Sequence, residues 1–188
     1  YAERFRRRCA LESRCATQSN EIASVVIKHN RGRHPLIVGQ HSLFFSRNQS
    51  VHELVFASGA NGRIWKPHRT IIAAMCASRD RSPELLVTTS NENARFYHAH
   101  SSRGTRHLLS IAHQIGGVVQ GVELRDQLLI VWNRAALALY FIPRSLDEAR
   151  ELDREDLHVQ TLHLANLIGA CISSPEHLFA ATYSASDR

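Results

Sequence analysis

Short apolar runs of four to eight residues recur along the chain, each bounded by Gly, Pro, Asn, Asp, Ser or charged residues. SVVIKH (Ser24 to His29), PLIVGQ (Pro35 to Gln40), SLFFS (Ser42 to Ser46) and HELVFAS (His52 to Ser58) open the series. TIIAAM, LLVTTS, ARFYHA and RHLLSI follow between Thr70 and Ile111, and GVVQGVEL, QLLIVW, ALALYFI and HVQTLHL between Gly117 and Leu164. LIGACIS and HLFAATYS close the series. Strand-sized runs of this kind, rich in β-branched and aromatic residues, predict an all-β chain. One stretch departs from the pattern. PRSLDEARELDREDL, Pro143 to Leu157, pairs Ser145 with Glu148 at capping-box spacing and continues with good helix formers, so it predicts a short acidic helix.

The runs are periodic. The apolar pairs Leu36-Ile37, Leu85-Leu86, Leu128-Leu129 and Leu178-Phe179 lie 49, 43 and 50 residues apart. About four strands in a period near 40–50 residues is the pattern of a β-propeller blade, a sheet that cannot bury both its faces alone and must stack on its neighbours. The expectation is blades at Ser24–Gly59, Thr70–Ile111, Val118–Leu164 and an incomplete one from Ile168 to Arg188, with the helical insert between the third and fourth strands of the third. Residues 1–20, basic and then polar, form an N-terminal arm or short helix ahead of a partial propeller over 21–188. Three and a half blades fall short of the roughly 4–8 of a ring, so either more chain or a partner chain is expected to complete it.

LLVTTSNENARFYHA, Leu85 to Ala99, resembles the middle of a WD40-type repeat. An apolar strand runs through hydroxylated residues into a tight polar turn, Asn91-Glu92-Asn93, and a second strand ends in aromatics. Glu92 stands where that family usually has Asp, Tyr97 where it has Trp, and His98 where it has Asp. ASGANGRIWK, Ala57 to Lys66, is a second echo, with Trp65 at the aromatic place; it conflicts with the period, so either Ser58 to Arg69 is a loop between blades or the first blade has other limits. The resemblance implies a WD40-like β-propeller fold and leaves the activity open.

Charge sharpens this picture. The net charge is +6, and Lys28 and Lys66 are the only lysines among 23 cations. Six of the 17 acids lie between Ser145 and Asp156, so the body is basic and the predicted helix is acidic. On the expected strand map, one face of the ring collects the loops bearing Arg31, Arg33, Arg47, Arg79, Arg81, Arg103 and Arg125, together with the acidic insert. Arginine forks suit carboxylate and phosphate. The candidate partner-binding residues are therefore Arg31, Arg33, Arg79, Arg81, Arg103, Arg125, Asp147, Glu148 and Glu151.

Signals for chemistry are weak by comparison. Twelve histidines include the pairs His98/His100 and His158/His163, without further ligands at metal-site spacing. Cys76 and Cys171 sit in apolar runs and read as small core hydrophobes, which suits a reducing compartment. Nucleophile-elbow, zincin, P-loop and dinucleotide glycine motifs do not occur. No run is long and apolar enough to span a membrane. The expectation is an intracellular (nuclear or cytoplasmic), non-catalytic scaffold without cofactor or metal. Its partners would be other protein subunits of a larger assembly. The alternative is a subunit of a nucleic-acid-associated complex that contacts phosphates through the arginine-rich face.

Overall fold

Alternation of buried and exposed positions builds the first sheet. In β2 (Ser42–Arg47, SLFFSR), Ser42, Phe44 and Ser46 face inward while Leu43 and Phe45 are only partly covered. The computed structural model describes residues 35–78, 80–100, 104–152, 154–174 and 177–183, all within one compact unit, Arg31–Arg188. It is all-β with two short helices. β1 (Leu36–Val38), β2, β3 (Ser50–Val55) and β4 (Asn61–Trp65) form the first antiparallel meander. β5 (Ala74–Ser78), β6 (Leu85–Thr89), β7 (Asn93–His98) and β8 (Leu109–Ala112) form the second. β9 (Gly121–Arg125), β10 (Leu128–Trp132), β11 (Ala136–Phe141) and β12 (His158–His163) form the third, and β13 (Leu167–Ser174) with β14 (His177–Thr182) a fourth of two strands.

The first sheet differs from the expected Ser24–Gly59 blade. Leu36–Val38 is its first strand, not its second, and GRIW belongs to its fourth strand. The reason is packing. Trp65 ends β4 and is buried against Phe44, their rings 6.5 Å apart, so the second aromatic echo closes a sheet instead of lying in a loop. With this register the second strands begin at Ser42, Leu85, Leu128 and His177, intervals of 43, 43 and 49 residues. The expected strand at Ser24–His29 and the arm over 1–20 lie outside the described residues.

Consecutive sheets stack face to face. β1 lies beside β5, β5 beside β9 and β9 beside β13, so the first strands gather on one side. Three apolar cores fill the gaps. Phe44, Val51, Trp65, Leu86 and Tyr97 pack between sheets one and two. Val87, Phe96, Ile111, Leu124, Leu129 and Tyr140 pack between two and three, and Ile130, Leu137, Leu167 and Ile172 between three and four. Every residue of β6 is buried because sheet two has a neighbour on both faces. β14 is exposed almost throughout, with Phe179 at 60% and Ile168 of β13 at 67% exposure, because among the described residues sheet four has one neighbour only. Cys76 is buried as expected, and burial pushes its thiol up to about 12. Cys171 corrects the expectation, since it is exposed on the open fourth sheet. No closed sheet forms among the described residues.

The insert is two helices, α1 (Leu146–Glu151) and α2 (Arg154–Leu157). Ser145 caps α1 through its hydroxyl, which accepts from the Glu148 N–H at 3.4 Å. Ala149 and Leu157 are buried in the core between sheets two and three, and Leu146 packs against it. The insert is therefore docked on the body and does not project freely from it.

Candidate functional site

The loops β5–β6, β7–β8 and β9–β10 and the insert converge at one end of sheets two and three. Between them lies a groove of about 510 Å³. Arg81, Ser82 and Pro83 of the β5–β6 loop line one side, Asp126 and Arg144 the other, and Leu146, Asp147 and Arg150 of α1 cover it. A second cavity of about 520 Å³ adjoins it under α1, sharing Leu108 and Arg150.

The candidate residues divide sharply here. Arg31, Arg33, Arg79 and Arg103 lie outside the described residues. Arg81 is not a surface hook as its loop position suggests; it is 8% exposed, and its Nη2 donates to the carbonyls of Ile142 and Pro143 at 2.8 and 2.7 Å. Desolvation pushes its guanidinium below the usual arginine range, opposed by Asp126 and Asp80. Arg125, at the end of β9, donates to the Ile172 carbonyl of sheet four at 2.7 Å. Asp147 is exposed and pairs with Arg150 at 2.9 Å; Glu148 and Glu151 are exposed on α1. Arg47 ends β2 beside the Asn48-Gln49 turn, so with the corrected register it belongs to the other end of the sheets.

A third arginine, unforeseen from the sequence, completes a pattern. Arg63 of β4 donates to the carbonyls of His98 at 3.1 Å and Ala99 at 2.7 Å, and also to that of Gly104, all on sheet two or its β7–β8 loop. Its Nε is 2.7 Å from the buried Glu53 carboxylate, which also accepts from the Ser42 hydroxyl at 2.7 Å. So Arg63, Arg81 and Arg125 each reach from one sheet to backbone carbonyls of the next. Acids reinforce the seams. Glu84 accepts from the Gln40 N–H, Asp80 from the Asp126 N–H and Glu123 from the Ile172 N–H. Sequence spacing carries no trace of these bonds, because their acceptors are main-chain groups of any residue.

The opposite end of sheet two holds a buried polar cluster. His68 Nε2 donates to the Thr88 carbonyl at 3.1 Å and lies 2.9 Å from the Thr88 hydroxyl; His113 Nε2 donates to the Ser90 carbonyl at 3.0 Å. Burial pushes His68 down to about 4 and His113 in the same direction. No group of three or more His, Cys, Asp or Glu side chains is placed to hold a metal among the described residues. No described helix is long and apolar enough to cross a membrane.

No protein-family model matches the sequence, and no curated protein matches it. Solved structures do match in fold. One is the structure of U3-55K, with a TM-score of 0.51 and 18% identity, covering 68% of this chain and 38% of that one. U3-55K is a WD40 β-propeller protein, and the likeness supports a WD40-like arrangement of the sheets. The chain thus spans well under half the length of that structure. At this identity the likeness concerns fold alone.

Proposed function

We propose that the chain is part of a WD40-like β-propeller that serves as a non-catalytic interaction platform within a multi-subunit assembly, engaging partner proteins through the groove and the acidic insert. One observation carries this reading. The insert is anchored by Ala149 and Leu157, which holds Asp147, Glu148, Glu151 and Glu155 outward beside a lined groove. A rigidly held, strongly charged element next to a partly apolar cleft suits recognition of a protein surface. The same geometry weighs against phosphate contacts by the arginine-rich face. Arg125 directs its guanidinium to a carbonyl of the next sheet, and Arg81, whose Nη2 serves two more, lines a groove beside Asp80, Asp126 and Asp147, acids that repel a phosphate backbone. Backbone contacts to nucleic acid need free cations and bring steep salt dependence.

The test is affinity purification of the protein from its native source, with and without nuclease. A reversal variant carrying Lys at 147, 148, 151 and 155 runs in parallel. A defined set of protein partners that survives nuclease and is lost with the variant is the expected result. Partners that vanish with nuclease, leaving nucleic acid in the untreated eluate, would move the function to the phosphate-binding class.

A further inference from the structure

We infer that the groove between the second and third sheets receives a carboxylate side chain of a partner protein on Arg81. This rests on the platform reading and names the group the platform holds. The guanidinium carries five N–H donors. Nη2 donates to Ile142 and Pro143, while Nε and Nη1 are buried without any acceptor among the described residues. Buried charged donors are nearly always paired, and an unpaired one carries a large desolvation penalty. Arg81 itself lines the groove, and its two unpartnered donors lie just beneath the groove wall, so an acceptor entering there pairs with them once the guanidinium turns toward it.

The neighbouring charges select the kind of acceptor. Arg144 is paired with Asp126 at 3.1 Å and Arg150 with Asp147 at 2.9 Å. Asp80 accepts from the Asp126 N–H at 2.6 Å. Arg81 thus remains the one groove arginine with no carboxylate in ion-pair contact among the described residues. A monoanion matches it, whereas a dianionic phosphate would lie among Asp80, Asp126 and Asp147 and be repelled. Pro83, Leu85, Leu108 and Leu146 supply apolar wall. An acidic residue flanked by apolar ones fits both parts.

The probe is the capped tripeptide N-acetyl-Leu-Glu-Leu-amide, titrated into the whole chain and followed by the Arg81 Nε–H resonance in NMR. The peptide with Gln in place of Glu and inorganic phosphate are the controls. A saturable shift with the Glu peptide is expected, with the Gln peptide about tenfold weaker or worse. Arg81→Lys lacks that resonance and is followed, beside the parent, by the backbone amides of Ser82 and Leu85; it should abolish their response while keeping the circular dichroism of the parent. If that variant fails to fold, the wild-type comparison of the two peptides still decides. An unmoved resonance, equal response to both peptides, or tighter binding of phosphate overturns the inference. Such a failure leaves the platform reading standing if partner capture still depends on the insert.

Discussion

His68 lies in the linker between β4 and β5, buried and neutral, with its proton directed at Thr88. Its folded pKa, about 4, lies below the unfolded value of 6.5. The unfolded chain therefore binds this proton first as pH falls. The contribution of His68 is fully present above pH 6.5 and is lost between 6.5 and about 4, for a total of about 3 kcal/mol. His113 adds to the same slope by the same desolvation. Urea titrations across this window should show the loss, and His68→Gln should flatten it; an unchanged slope would place His68 in water. Tyr97 is buried between sheets one and two, its ring 5.8 Å from that of Trp65. Tyr97→Ala should cost about 3 kcal/mol or more in chemical denaturation. Arg63→Ala should cost about 3–5 kcal/mol, because it leaves the buried Glu53 carboxylate without its cation.

Elements were legible from the sequence where alternation and turn formers agree, and illegible where they do not. The paired strands Leu85–Thr89 and Asn93–His98 follow directly from LLVTTSNENARFYHA. Their tight polar turn is organised by the residue before it, Ser90. The Ser90 hydroxyl accepts from the N–H groups of Glu92 and Asn93, both at 3.2 Å, while positive φ falls at Asn48, Asp126 and Asn166. The first sheet escaped because a three-residue strand, Leu36–Val38, has too little pattern to mark its place in the order. Gly121 is another hidden constraint. A Cβ there would come within 2.0 Å of the Trp132 ring, its cross-strand partner, so Gly121→Ala should lower stability by about 1–3 kcal/mol. For the insert, the four outward acids make no core contact, so their reversal to Lys should leave the melting temperature within about 4 °C of the parent.

At the scale of the molecule, the candidate site was legible as a place and not as a set of roles. Among the described residues, the loops next to Arg81 and Arg125 lie at the same end of the sheets as the acidic insert, with the groove there, while Arg47 lies at the other end. The sequence could not say that Arg81 and Arg125 turn inward, since a donor committed to a carbonyl and a donor facing water look alike in a string of letters. The arginine seams also run one way. Arg63 reaches from sheet one to two, Arg81 from two to three and Arg125 from three to four. Each sheet is thus latched to its successor by side chains of its own, and stability is shared between neighbours as in a one-dimensional array. The consequence is a set of designed break points. Weakening a single latch should divide one cooperative unfolding event into two. With Arg125 replaced, amide protons of β13 and β14 should exchange ahead of those in β6 and β10, as a separate foldon released from an otherwise intact stack.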